Sequence, residues 1–141
     1  MIDFDNVIDN YLKRELRPKE TGRYFPSEAG NCLRKSWYSY KIPRETPKDT
    51  IKVFKVGLML HDFIAEVLSS GINEDIKLVS TELPFKIDID GIVISGRIDD
   101  IVHAKVESKD YLVEVKTTSD LGYTHAPKEA HIMQLQLYMY A

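Results

Sequence analysis

The sequence predicts one mixed α/β (α+β) domain, a central mixed sheet built on a β-meander and flanked by helices, and three features predict it. Apolar residues recur at helical spacing in residues 3–16, 53–68 and 129–140; the pattern turns to alternation after Gly71; and the dipeptide Asp90-Gly91 divides two long alternating runs. At 141 residues the chain is long enough for one hydrophobic core and too short for two.

From the N-terminus, Asp3 to Leu16 reads as an amphipathic helix that packs on the domain through Phe4, Val7, Ile8, Tyr11 and Leu12. Arg17 to Gly22 is a linker, and Ser27 is the expected N-cap of a helix carrying Cys32 and Trp37. Pro43 and Pro47 break the chain before Val53 to Leu68, which reads as a largely buried helix. Strands follow over Leu78 to Ile87, Ile92 to Val102 and Tyr111 to Thr117, joined by a hairpin turn at Asp90-Gly91 and a polar turn over Glu107 to Asp110. Asp88-x-Asp90-Gly91 starts like a calcium loop but lacks its later ligands, so the turn reading is better. Ser119 to Lys128 is a loop able to pass over a cleft, and Glu129 to Tyr140 is a second apolar helix.

Residues 1–50 are expected to form a helical, basic region and residues 51–141 the core of the domain. Because Met139-Tyr140-Ala141 stops in mid-pattern without a helix-ending glycine, asparagine or proline, the domain is expected to be incomplete at its C-terminus.

The net charge of −3 argues against a protein that coats nucleic acid by bulk charge, but the charge is unevenly spread. Residues 1–56 hold 12 Lys/Arg against 8 Asp/Glu, net +4, and residues 57–141 hold 7 against 14, net −7. The basic part can meet phosphates while the acidic part holds cations. Arg14, Arg17, Arg23, Arg34, Lys35, Lys41 and Arg44 are the candidate phosphate contacts, with Trp37, Tyr38 and Tyr40 available to stack on bases; for Trp37 a core position is the competing reading. No apolar run reaches bilayer length and the N-terminus is acidic, so no membrane association and a cytoplasmic location are expected. One cysteine excludes an intrachain disulfide.

Asp99 in Gly96-Arg97-Ile98-Asp99 and Glu114 and Lys116 in Val113-Glu114-Val115-Lys116 stand on the two strands joined by the polar turn. On a strand, Glu114 and Lys116 share a face, and pairing across the turn brings Asp99 beside Glu114. Two carboxylates on neighbouring strands can hold Mg²⁺ or Mn²⁺, hard cations that take oxygen ligands, and an ammonium beside them can position an attacking water. Rim charges on an exposed hairpin are the structural alternative. His61, on the buried-looking helix with Gly57 one turn before it, could complete such a site or be a hydrogen-bonded core residue. His131, Gln134 and Tyr138 form a polar stripe at i, i+3 and i+7, which is either a solvated face or the wall of a polar cleft.

In order, Gly57-x-x-x-His61, Gly96-x-x-Asp99, Glu114-x-Lys116 and Gln134-x-x-x-Tyr138 resemble the RecB-like branch of the PD-(D/E)xK nucleases. The resemblance implies a restriction-endonuclease-like core, a metal site of His61, Asp99, Glu114 and the Val115 backbone carbonyl, a catalytic Lys116, and a Gln134/Tyr138 helix beside the site. Glu82, in the strand-like Val79 to Phe85, falls where such proteins often carry an acidic residue and is given a supporting role.

Cys32-x-Arg34-Lys35-x-Trp37-Tyr38 is similar to the CRISPR-associated RecB-like exonuclease family, in which the cysteine at this place is one of four thiolates on a 4Fe-4S iron–sulfur cluster. This chain has no second cysteine and cannot complete a cluster alone. Either the partner thiolates lie beyond residue 141, or the protein is cluster-free and Cys32 is a small buried hydrophobe. The resemblance implies a divalent-metal-dependent DNA exonuclease, acting on single-stranded or frayed ends, that trims DNA before CRISPR spacer integration with the CRISPR integrase as partner. A viral or repair nuclease of the same branch, and a non-catalytic DNA-binding or assembly subunit, are the rival readings.

Overall fold

The computed structural model describes residues 2–14, 19–42, 44–118 and 126–141; Arg17 and most of the expected 119–128 loop lie outside them. Among the described residues, four α-helices, α1 (Phe4–Lys13), α2 (Leu33–Lys41), α3 (Lys48–Ser69) and α4 (Glu129–Tyr140), accompany a four-stranded sheet of β1 (Arg23–Tyr24), β2 (Ile76–Ile89), β3 (Ile92–Ala104) and β4 (Lys109–Val113). β3 is central. It pairs antiparallel with β2 along its whole length on one edge, and on the other with β1, parallel at Val93 and Ile94, and with β4, antiparallel from Asp100 to Ala104. The sheet is therefore mixed, and the first 50 residues supply one of its strands.

The β2–β3 hairpin forms where Asp90-Gly91 predicts it, with both residues at positive φ (52° and 83°) and the Gly91 amide donating to Asp88 Oδ1 at 2.8 Å. One shift of register, between Leu78 and Ser80, lies far from the turn. β4 stops at Val113, earlier than the sequence suggests, so Glu114 and Lys116 lie on the segment leaving the sheet.

Three local expectations are corrected. Cys32, not Ser27, is the N-cap of α2; Ser27 sits in a 3-10 turn over Pro26–Glu28. α1 is capped by Asp3, whose carboxylate accepts from the Asn6 amide, but its apolar residues Phe4, Val7, Ile8 and Tyr11 are exposed. What it buries is Leu12 together with Asp9, whose carboxylate meets Lys48 at 2.8 Å and Lys52 at 3.2 Å, one turn apart on α3. α3 itself is helical as expected but not largely buried: Ile51 is its one buried residue, and Val53, Phe54, Met59 and Phe63 are among its exposed ones.

The segment around the 3-10 turn packs closely against α4 and β3. Gly30, at φ 75°, has Ala130 Cα of α4 where its Cβ would be, 2.8 Å away. A Cβ at Gly96 would stand 3.0 Å from Pro26 Cδ. These close approaches hold α4 near the middle of β3, where the candidate residues converge.

Candidate active site

Alternation along β3 puts Arg97 and Asp99 on one face and buried Ile98, Asp100 and Val102 on the other. α3 crosses near the Asp99 side, with His61 Nδ1 3.5 Å from Asp99 Oδ2. One turn earlier, Gly57 faces the segment beyond β4: a Cβ there would be 3.6 Å from Thr117 Oγ1, an ordinary contact, so space alone does not demand glycine. Asp99 also ties that segment to the sheet, because its Oδ2 accepts a hydrogen bond from the Val115 amide at 2.9 Å.

Glu82 completes the nearest acid–imidazole group. One ligand atom each from His61, Glu82 and Asp99 lie within 4.8 Å of one another, the three side chains all half-buried. Glu82 is opposite Asp99 in the β2–β3 register but does not pair, because its backbone turns to φ 49°; the Thr81 hydroxyl instead donates to the Asp99 carbonyl at 3.3 Å. A glutamate in the left-handed region is strained. Arg97 Nη1 lies 2.6 Å from Glu82 Oε2. Sequence reasoning gave Glu82 only a supporting role, yet a signal for it existed: Glu82 and Asp99 each stand eight residues from the Asp90-Gly91 turn, so a two-residue hairpin sets them face to face.

Glu114 stands in a different set of contacts. Its side chain is 5% exposed. Oε1 accepts from Lys116 Nζ and, at 2.6 Å, from Gln134 Nε2, whereas Oε2 is buried with no hydrogen-bond partner among the described residues. An orphan carboxylate oxygen in such burial is costly, which makes it a ready ligand for a cation. Gln134 Nε2 also donates to the Tyr138 hydroxyl at 2.5 Å, and the Tyr138 ring packs edge-on against Phe85 at 5.2 Å. Gln134 and Tyr138 are both buried, so the polar stripe of α4 faces inward while Ile132, Met133, Met139 and Tyr140 are exposed. Burial, aided by the nearby Glu114 and Asp99 charges, pushes the Tyr138 phenol up to about 12. His131 flanks this set, and burial followed by the Lys116 and Lys128 charges lowers its pKa.

The electrostatics link the two sets. Burial pushes the Asp99 carboxyl above its ordinary value and the Glu114 charge adds to that, against the Val115 hydrogen bond and the His61 and Lys116 charges. Clustered acids that repel one another are relieved by a bound cation. Ligand oxygens of an octahedral ion at about 2.1 Å lie ~3–4.2 Å apart, so the His61, Glu82 and Asp99 atoms need to close by less than about an ångström or two. Two carboxylates with one imidazole are a donor set that a divalent cation can take.

A family model described as the PD-(D/E)XK nuclease superfamily matches residues 6–141. The chain belongs to that superfamily. Its mixed sheet flanked by helices is the restriction-endonuclease-like core of these nucleases, which act on nucleic acid with divalent metal. Among solved structures, the crystal structure of SSO0001 is similar, with a TM-score of 0.65 and 23% identity over 99% of this chain and 66% of that one. At that identity the likeness concerns the fold, and this chain spans about two thirds of the length of SSO0001. Comparison with curated proteins gave no match.

The residues expected to contact DNA sit apart from the acids in sequence and mostly on α2. Arg34 lies 5.9 Å from the Tyr38 ring centre, Trp37 packs edge-on to Tyr38 at 4.9 Å, and Lys35 is exposed. Trp37 is 55% exposed, which excludes the core position for it. Arg23 is on β1, its Nε donating to Ser95 at 2.7 Å. Cys32 is an exposed free thiol, so the buried-hydrophobe alternative does not describe it. Among the described residues no helix is long and apolar enough to cross a membrane.

Proposed function

We propose that this PD-(D/E)XK nuclease domain is a divalent-metal-dependent deoxyribonuclease that hydrolyses phosphodiester bonds, and the observation that carries the reading is Glu114 Oε2, buried without a hydrogen-bond partner among the described residues, on a carboxylate whose charge reaches Asp99 of the His61/Glu82/Asp99 group. Mg²⁺ or Mn²⁺, when bound, supplies Lewis-acid activation of water and neutralises phosphate charge. His61, Asp99 and Glu114 would hold the ion, with Glu82 as a further carboxylate and the Val115 carbonyl as a backbone ligand. Asp99 fixes the Val115 peptide through its amide. Lys116, hydrogen-bonded to Glu114, positions the attacking water and offsets the negative charge that grows on phosphate. Gln134 orients Glu114, and Tyr138, a neutral phenol at physiological pH, holds Gln134 in place.

Exposed Arg34, Lys35, Trp37 and Tyr38 on α2, with Arg23, supply the DNA contacts of this reading, the cations to phosphate and the rings to unstacked bases. Stacking on two exposed rings favours single-stranded or frayed ends, and the resemblance to RecB-like exonucleases makes the reading an exonuclease. The similarity of the Cys32 to Tyr38 stretch to the CRISPR-associated RecB-like exonucleases extends the reading to end trimming before spacer integration, in the cytoplasm, alongside the CRISPR integrase. In that setting an exposed Cys32 would be one of four cluster thiolates, three of which this chain does not contain.

The test is digestion of single-stranded DNA labelled at either end, with Mn²⁺ or with chelator. Progressive shortening that needs Mn²⁺ and disappears in Asp99→Asn and Lys116→Ala supports the reading. Metal-dependent binding without shortening would make the protein a DNA-binding subunit instead.

A further inference from the structure

We propose that Arg97 is a phosphate-contacting residue that exchanges between Glu82 and DNA, and so couples nucleic-acid binding to cation binding; this rests on the metal-dependent reading above. Arg97 stands two residues from Asp99 on the same face of β3, and its side chain is 65% exposed although its Nη1 lies 2.6 Å from Glu82 Oε2. Its guanidinium thus touches the acid group from the solvent side. Glu82 is itself one of the three residues whose ligand atoms cluster within 4.8 Å.

A carboxylate that neutralises a guanidinium is a poorer ligand for a divalent cation, and the guanidinium's own charge repels the incoming ion. Without DNA, Arg97 therefore competes with metal for Glu82. A phosphate can take the place of Glu82 on Arg97, because its oxygens match the planar fork of donors as a carboxylate's do and the site already exposes that fork to solvent. Once Arg97 turns to phosphate, Glu82 is released to the cation. Linkage makes the effect reciprocal: DNA tightens metal binding and metal tightens DNA binding by the same factor. Lys116 cannot perform this exchange on Glu82, since it is engaged by Glu114. Exposed ion pairs are weak, so the factor is small, about two- to fivefold.

The experiment is calorimetric titration of Mn²⁺ into the metal-stripped full chain, alone and saturated with a single-stranded oligodeoxynucleotide carrying cleavage-resistant phosphorothioate linkages. Arg97→Gln is expected to bind Mn²⁺ alone about two- to fivefold tighter than the parent, and the tightening caused by the oligonucleotide is expected to shrink by the same factor. In a Glu82→Gln background the Arg97→Gln change is expected to tighten Mn²⁺ binding less than it does in the parent, because only the charge repulsion is then relieved, and the difference between the two backgrounds reads the direct pair. Unchanged or weaker Mn²⁺ binding by Arg97→Gln, with full DNA coupling retained, overturns the proposal while leaving Asp99-dependent metal binding intact. Absence of any Asp99-dependent Mn²⁺ binding in the parent overturns the metal reading itself and this proposal with it.

Discussion

The Val115 amide donates to Asp99 Oδ2 at 2.9 Å, so one carboxylate is both the clasp between β3 and the segment leaving β4 and a member of the acid–imidazole group. The two roles separate by mutation. Asp99→Asn retains an acceptor for the amide and removes the charge, whereas Asp99→Ala removes both. Asp99→Ala is expected to lower unfolding free energy by about 1–3 kcal/mol, the cost of an unsatisfied, part-buried amide. Asp99→Asn is expected to be at least as stable as the parent in metal-free buffer. The sign follows from linkage: a carboxyl whose folded pKa is raised destabilises the fold when ionised, and that destabilisation vanishes as pH falls through the raised value. Urea denaturation of both variants with chelator present checks this.

Asp9 has the opposite sign. The Lys48 hydrogen bond, with Lys52 adding to it against burial, holds its carboxyl below the usual range. Its contribution to the α1–α3 contact is present above the unfolded carboxylate range, about pH 4, and is lost as pH falls through the lowered folded value. Asp9→Asn is expected to lower the Tm at pH 7 and to leave it nearly unchanged at a pH below the parent's folded pKa. Thermal melts at the two pH values measure it.

Glu82→Gly separates stability from metal binding. Relief of a left-handed glutamate is worth about 1–3 kcal/mol, against ~0.5–1 kcal/mol for added chain entropy and ~0–1 kcal/mol for the lost exposed ion pair with Arg97. The net runs from a loss of about 1 to a gain of about 2.5 kcal/mol, with the middle of the ranges on the side of strain relief, so the Tm is expected to change little or rise while Mn²⁺ affinity falls. A melt and a Mn²⁺ titration on the same preparation are sufficient.

Gly30→Ala strikes the site from a distance. Its Cβ would meet Ala130 Cα at 2.8 Å, backbone that cannot yield without moving α4. A loss of about 1–3 kcal/mol is expected, with activity reduced further because Gln134 and Tyr138 ride on that helix. Gly57→Ala, with ordinary contact at Thr117, is expected to be mild. Comparing the two by thermal melt and nuclease assay tests whether α4 docking or α3 packing is the tighter constraint.

The legible parts of this fold are those set by local rules. The Asp90-Gly91 turn, the two long strands around it and the span of α4 follow from turn chemistry and period alone. Periodicity gave the helical state of α3 but not its burial, because the same apolar residues fit either a covered or an open face, and here Val53, Phe54, Met59 and Phe63 are open. Gln134 and Tyr138 show the reverse case, a polar stripe turned inward because Glu114 receives it. Glu82 is given no more than a supporting role by its sequence because nothing in an alternating run announces a positive φ at a non-glycine, although its equal distance with Asp99 from the turn is readable. Asp9 was hidden by the apolar neighbours that helical spacing offered as a better face.

The most direct measurement is an electron paramagnetic resonance titration of Mn²⁺ into the metal-stripped protein, counting ions bound tightly per chain. The parent is expected to take up Mn²⁺ at a site that His61→Ala weakens and Asp99→Asn abolishes. Equal uptake by parent and Asp99→Asn, or none by either, contradicts a metal centre built from these residues.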